Sequence, residues 1–471
     1  MAAAQITMGL VAGIVSVLVQ RHYGPVDMGL LRTASTYALI ISILSEMGIT
    51  RAAVISISRG DEMMLRKVAG QIVGLRTMCC GVYLVVAWIL ALASARTGHL
   101  EPRVLWLTVA WSFSMVMQAF RRNSEAMFQA SERLVYQAGL FFGYRMVLAA
   151  ATILVISLDL KIEYLVYATV LCDGLDATIS WMVVRRRIVR PLHAWDWGTK
   201  LRLLKIGWPF AIQTFAGTLY VLIDTVLLVY WCPGTRQEIE GQIGLYGSSY
   251  TIVILLTTVP VSLAAALFPQ MSRAYHEKNG PRLYSLFTHG ISLMAIVAVP
   301  LVAFFFMFRY EVIRYILGPA YLDAIPMLGT VIWALGFIFL SIPCANLLAA
   351  TDKQHAVNVS AILCGLFNIG LNYWLIPLHR GLGAAISTSI TELLNLLVLA
   401  GFIMFWHIRG FRWNYLGAVL LLQICAVCVI LFVDTWPLLL KAIIYLFYAA
   451  ICGGSFYRMM RNRKKAGQAA A

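Results

Sequence analysis

Charge is what this chain has least of. Asp, Glu, Lys and Arg make up 12% of its 471 residues, against about 25% in a soluble domain. The same composition is 61% hydrophobic, and apolar runs of about 20 residues, long enough to cross a bilayer, recur from end to end. That excludes a soluble fold and leaves an all-α polytopic membrane protein. Cysteine is present without a pattern: Cys79-Cys80 and Cys425-Ala-Val-Cys428 lie inside apolar runs, away from the accessible His and Cys companions of a zinc or redox site. Nothing calls for a metal or cofactor. No basic segment precedes the first apolar stretch and nothing reads as a cleavage site, so no cleavable signal peptide is expected.

The net charge of +16 would raise nucleic acid as a partner in a soluble protein. Here the positive-inside tendency of cytoplasmic loops explains it, and no nucleic-acid partner is expected. Hydropathy and charge breaks give fourteen spans: 5–20, 34–55, 69–92, 104–120, 134–158, 162–184, 206–231, 248–268, 285–308, 325–350, 356–376, 382–405, 415–433 and 438–457. Loops after even-numbered spans, with the C-terminal tail, hold twenty-five Lys and Arg against ten on the other side. That bias puts both termini in the cytoplasm. The longest cytoplasmic connection, the basic stretch 185–205, follows six spans. Its second part, with Trp195, Trp197, Leu201, Leu203 and Leu204 among Lys200, Arg202 and Lys205, has the make-up of an amphipathic segment along the inner leaflet and equally of an ordinary basic loop. The outer loops are short, the longest around 309–324, so no extracytoplasmic domain is expected.

One stretch stands out. From Gly244 to Arg273 the chain is uncharged between its ends and holds Pro260 and Pro269. A proline at membrane depth leaves a carbonyl unpaired, which is tolerated against protein or a wet cavity, so a span with an internal break is expected, hinged at Pro260 and Pro269. Gly29-Leu30 opens a similar stretch that ends at Ser58-Arg59. Matching segments in two halves suggest a duplicated transporter core with its site between the halves; two merely similar helices would look the same.

Ionisable groups within spans cost roughly 3 kcal/mol each on insertion scales and are functional candidates by default. Arg145 falls near the midplane of the fifth span. Asp173 and Asp176 in the sixth share a face at a spacing of three. Asp224 lies toward the outer end of the seventh span and Glu392 near the middle of the twelfth; a lone buried carboxylate favours its neutral form, which suits coupling of protonation to conformation. Each has a plainer alternative. Arg145 and Asp173 could pair structurally, and Arg76 is expected to snorkel toward the inner interface. Glu46 lies close to Arg51. Arg21, Arg51, Arg59 and Arg273 flank the two similar stretches, and arginine suits phosphate through two parallel hydrogen bonds; loop charge is the alternative, and for Arg59 the expected one.

Several motifs together resemble the polysaccharide transporter family (O-antigen-type oligosaccharide flippases) of the multidrug/oligosaccharidyl-lipid/polysaccharide exporter superfamily. They are Gln-Arg-His-Tyr-Gly-Pro-Val-Asp-Met-Gly-Leu from Gln20, Ile206-Gly-Trp-Pro-Phe, Tyr220-Val-Leu-Ile-Asp224, Gly244-Leu-Tyr-Gly and Ala-Leu-Phe-Pro-Gln-Met-Ser-Arg273. Asn368-Ile-Gly-Leu-Asn-Tyr-Trp-Leu-Ile-Pro377 and Gly381-Leu-Gly-Ala-Ala385 complete the set. The resemblance implies two six-helix lobes around a central cavity, 1–184 and 206–405, with two further helices and a basic tail in 406–471. It implies movement of an undecaprenyl-diphosphate-linked oligosaccharide across the inner membrane by alternating access, driven by an ion gradient or the membrane potential. By position Arg21, Arg51 and Arg273, with Arg145, would receive the diphosphate, and Asp224, Glu392, Asp173 and Asp176 would be the coupling candidates. The implied partners are the lipid-linked oligosaccharide, membrane lipids and other polysaccharide-assembly proteins. One departure stands out: family members commonly follow the seventh-helix Asp with a basic residue, and here Thr225 follows.

Rival readings are a related exporter of other cargo, either a peptidoglycan-precursor flippase or a drug/cation antiporter, and a scaffold subunit. An enzyme such as a glycan polymerase would need a substantial outer loop with acid/base residues or an acidic metal motif, and the sequence has neither, so no enzyme is expected.

Overall fold

The computed structural model describes residues 2–58, 62–96, 101–192, 195–407 and Tyr445. Among these all regular structure is helical. The thirteenth and fourteenth expected spans lie outside the described residues apart from Tyr445, and Arg59 lies outside them too. The chain forms two compact units, Met1–Gly244 and Leu245–Ala471.

In the first unit the chain runs through α1 (Ala2–Ile41), α2 (Ile43–Glu46), α3 (Ile49–Ser58), α4 (Glu62–Arg96), α5 (Pro102–Ala130), α6 (Leu134–Ser157), α7 (Ile162–Arg187) and α8 (Trp197–Trp231). α9 (Arg236–His276) crosses into the second unit, which continues with α10 (Gly280–Met307), α11 (Arg309–Glu311), α12 (Ile325–Ala350) and α13 (Gln354–His407). Two of these hold two expected spans or parts of them. Non-helical Gly24 divides α1 and Arg380 divides α13, so the first twelve expected spans all fall on helices. By length and composition, seven helices among the described residues suit a membrane span, and α1 with α2 and α3 forms one more across a 40° bend. α5 and α7 are less apolar than the rest, and they pack on each other with their polar groups paired across the contact: Asp173 accepts from Ser114 and Gln118, and Asp176 pairs with Arg121.

The second span is broken, which hydropathy did not reveal. Met47 and Gly48 take left-handed backbone angles after α2, and α3 leaves in a new direction. A Cβ on Gly48 would lie 2.1 Å from the carbonyl oxygen of Gly207, and one on Gly207 would lie 2.5 Å from that of Met47. The glycine of the Ile206-Gly-Trp-Pro-Phe motif is thus where α8 closes on the break.

A buried ion network pins that break to its neighbours. Arg76 of α4 is fully buried, and its guanidinium donates to Glu46 Oε2 at 3.0 Å, Asn123 Oδ1 at 2.7 Å and Thr50 Oγ1 at 3.1 Å. Arg122 of α5 reaches the same Glu46 oxygen at 2.8 Å. The snorkelling expected of Arg76 does not occur, because Glu46, Asn123 and Thr50 converge on it inside the helix packing. Glu46 answers Arg76 and Arg122 rather than Arg51.

The basic connection is also built in. Leu192 N–H donates to the Arg66 carbonyl at 3.0 Å and Asp196 N–H to Gln71 Oε1 at 3.1 Å. Lys67 and Thr199 donate to the Asp196 carboxylate and hold it well below the usual carboxylate range. Asp196 thereby caps α8, which begins at Trp197 and continues through Pro209 as one helix. Trp197 to Lys205 is therefore the first part of a long helix, not a separate amphipathic segment. α9 likewise runs through Pro260 and Pro269 with no non-helical residue. The internal break expected at these prolines is absent, since a proline removes one hydrogen bond and bends a helix without having to end it.

Glu46→Gln leaves a fully buried Arg76 without a carboxylate, and breaking such a pair costs about 3–5 kcal/mol. Thermal unfolding of the detergent-solubilised protein should show Glu46→Gln far less stable than Arg122→Ala, which removes the more exposed partner. Equal melting of the two variants would contradict the network's role.

Candidate functional site

In the first unit, a cavity bounded by α1, α5, α6 and α7 brings together part of what the sequence singled out. Two adjacent hollows lie there, of about 440 Å3 and about 220 Å3. Trp111, Arg145, Leu148 and Thr169 line both. Arg145 stands midway along α6, with its guanidinium 5.0 Å from the centre of the Phe141 ring. Among the described residues it makes no ion pair or hydrogen bond, so the structural pair with Asp173 does not form. Asp173, buried on α7, accepts instead from Ser114, Gln118 (3.1 Å) and Tyr144 (2.7 Å). Asp176, one turn on, meets Arg121 Nε at 3.4 Å and accepts from Ser180 at 3.2 Å. Arg121 also pairs with Glu125. Helical spacing put Asp173 and Asp176 on one face, but their partners are different: neutral donors for the first, a cation for the second.

The remaining candidates are spread out. Arg51 is exposed on α3, where it donates to Gln213 Oε1 at 3.2 Å and lies 5.3 Å over Phe210, both on α8. Arg21 is exposed on α1, before the turn at Gly24. Arg273 is exposed in the second unit, on a recess of about 470 Å3 with Phe268, Pro269 and His276. Asp224 is buried on α8. Beside it, Thr225 accepts from Arg32 Nε at 3.3 Å. A cation therefore reaches the position where the family pattern has a basic residue, but it comes from α1. Glu392 is buried on α13. In the same helix pair Asn368 donates to Ser387 and Thr391 at 3.3 Å each, and Asn372 donates to Asn368 at 2.9 Å. Asn368 thus ties the two halves of α13 together, and Asn372 braces it from within its own half.

The two similar stretches meet at their opening glycines. A Cβ on Gly29 would lie 1.7 Å from the carbonyl oxygen of Glu240, and one on Gly244 would lie 1.8 Å from that of Pro25. Each glycine thus faces the carbonyl four residues before the other, a reciprocal contact.

Comparison with known proteins agrees with this architecture. Residues 1–275 match the family model for polysaccharide biosynthesis proteins, and residues 209–374 match the MatE family model. The structure titled "Lipid II flippase MurJ, inward closed conformation" is similar with a TM-score of 0.77 at 14% identity, over 97% of this chain and 98% of that one. An inward-facing multidrug resistance MATE family transporter of the MOP superfamily gives a TM-score of 0.64 at 16% identity, over 86% of this chain and 95% of that one. A eukaryotic MATE transporter gives 0.60 at 13%, over 89% and 97%. No curated protein matches the chain. The fold and the family matches define a multi-pass membrane transporter of the MOP superfamily, a transport protein and not an enzyme. Within that class the chain belongs to the polysaccharide biosynthesis protein family.

The glycine contact leaves no room for a methyl group. Gly29→Ala or Gly244→Ala should lower thermal stability by about 1–3 kcal/mol, as overpacking does. Gly139→Ala, where a Cβ meets open space, should be neutral or slightly stabilising through helix propensity. Three variants melting together would contradict the close approach.

Proposed function

We propose that the protein is a flippase that carries a polyprenyl-diphosphate-linked oligosaccharide, an O-antigen or exopolysaccharide repeat unit, across a prokaryotic cytoplasmic membrane by alternating access. The observation that carries this reading is Arg145. It is a cation held midway along a span, lining a cavity, and among the described residues no carboxylate pairs with it. A cation at that depth is expensive unless it has a partner or water, and a lipid diphosphate supplies the partner at the moment of transport. Arg21, Arg51 and Arg273 are the further receiving groups, positioned to meet the diphosphate as it enters or leaves. The family match over residues 1–275 supports the cargo class.

In this reading the lobes 1–184 and 206–405 alternate around the cargo, Pro260 and Pro269 give α9 the freedom to bend, and both termini are cytoplasmic, in keeping with the excess of Lys and Arg on that side. Membrane lipids and other polysaccharide-assembly proteins are its partners. Coupling to an ion or to the membrane potential falls to buried carboxylates. Asp224, Glu392, Asp173 and Asp176 are the candidates, all four buried within the helices. The MatE match over 209–374 favours one second reading, a related exporter of other cargo such as a drug/cation antiporter or a peptidoglycan-precursor flippase.

The test is a leaflet-specific probe of lipid-linked glycan in cells lacking the protein. The expected result is loss of outer-leaflet glycan, restored by the wild-type chain and restored poorly by Arg51→Ala with Arg273→Ala. Unchanged outer-leaflet glycan would overturn the reading. Altered drug resistance on expression, with glycan unchanged, would establish the second one.

A further inference from the structure

At the end of the first unit opposite the basic connection, four elements each bring a carboxylate. Asp27 follows the turn of α1, Glu101 precedes α5, Glu163 opens α7, and Glu240 lies in the second turn of α9, ahead of the eighth expected span. Two of the four are answered directly: Arg103 pairs with Asp27 at 3.0 Å and with Glu163 at 2.6 Å. Glu101 and Glu240 instead line a hollow of about 10 Å3 together with Thr33 and Arg236, space on the scale of one water molecule. The rest of its wall is valine and isoleucine from α5, α8 and α9, so one guanidinium faces two carboxylates there. Glu240 is only 8% exposed. Thr33 Oγ1 is buried and, among the described residues, has no hydrogen-bond partner. Burial first, and then Glu101, push the Glu240 carboxyl up to about 7; Asp27 adds to this, and Arg103 and Arg236 oppose it. The same residue belongs to the crossing of α1 and α9. Its carbonyl oxygen is the atom a Cβ on Gly29 would meet, and Gly244, one turn on, faces the Pro25 carbonyl.

We propose that Glu240, in the hollow it lines with Glu101 and Thr33, binds one proton, and that this proton latches the crossing of α1 and α9. With the carboxyl neutral, Arg236 is left to answer Glu101, and the Thr33 hydroxyl lines the hollow as an acceptor for the Glu240 O–H. When that O–H bond breaks, the proton passes to water and the electron pair stays on the carboxylate. Two carboxylates then share one guanidinium in a space too small for solvent to screen them, and like charges so placed favour separation of the helices that carry them. The latch is fully set below the ordinary carboxyl value of 4.5 and is lost as pH rises through about 7. The site stands on the first unit alone. Its use in transport rests on the flippase reading, in which this end faces outside and outward opening releases the proton.

The experiment reads the separation of α1 and α9 by pulsed dipolar spectroscopy in the full chain, with native cysteines replaced, in phosphatidylcholine nanodiscs. Spin labels go on His22→Cys and Gln237→Cys, both exposed positions; the first substitution also removes the imidazole that pairs with Asp159. The short-distance population should be lost on raising the pH, with a midpoint near 7. Glu240→Gln, which keeps the neutral form, should hold the short distance throughout, and Glu101→Gln should move the midpoint to lower pH. A distance that ignores pH in the wild-type chain, or a Glu240→Gln chain that responds as wild type does, overturns the latch, each chain being shown folded by its melting curve. Recovery of the short distance at high pH on exchanging potassium for sodium overturns the assignment to a proton in favour of a metal cation. Glycan flipping in cells is read separately. A chain that flips glycan while its distances ignore pH sinks the latch and spares the flippase reading. Glu240-dependent distances in a chain that flips no glycan do the reverse.

Discussion

A charge inside hydrocarbon has to be answered, and the first unit is arranged around that requirement. Glu46 sits at the end of a four-residue helix where the second span breaks, and it answers two arginines from two other helices. An isolated buried guanidinium would cost several kcal/mol; with Glu46, Asn123 and Thr50 around it, Arg76 becomes a fixed point that ties α2 and α3 to α4 and α5. The bend between α2 and α3 is held from the other side by Gly48 against Gly207. Arg121 and Asp176 do for α5 and α7 what Arg76 and Glu46 do for the bend. Against this background Arg145 is the informative exception: a cation at comparable depth, lining a cavity, with the Phe141 ring beside it and, among the described residues, no carboxylate paired to it.

The reciprocal contact of Gly29 and Gly244 gives the resemblance between their two stretches a physical meaning. Two helices can cross this closely only where neither carries a Cβ, so both stretches need a glycine at the equivalent place. Similar hydropathy alone would not require that.

The helices were legible in the sequence because each needs only its own apolar run, and hydropathy reads one helix at a time. The partners of the charged residues were not, because they depend on register between helices distant in sequence. Arg76 finds Glu46 and Asn123, Arg32 finds Thr225, and Tyr144 finds Asp173; no spacing rule within a span indicates any of these. The Met47-Gly48 break was hidden because hydropathy averages over the whole apolar run and carries no sign of where the backbone turns. The prolines of α9 misled in the opposite direction, since a proline removes one hydrogen bond and bends a helix without having to end it. Of the candidate site, Arg145 and Asp173 were visible as charges out of place in apolar runs.

If the cation on α6 receives a phosphate, the hollow that Arg145 lines must be open to water and to a phosphate-bearing ligand. Thr169 lines both hollows beside Arg145, so a Thr169→Cys variant in a chain whose native cysteines have been replaced reports on that space directly. A small hydrophilic thiol reagent should label Cys at this position in the folded, membrane-embedded protein, and added polyprenyl diphosphate should slow the labelling. Failure of the reagent to react there, while a cysteine placed in an exposed loop reacts fully, would contradict the account.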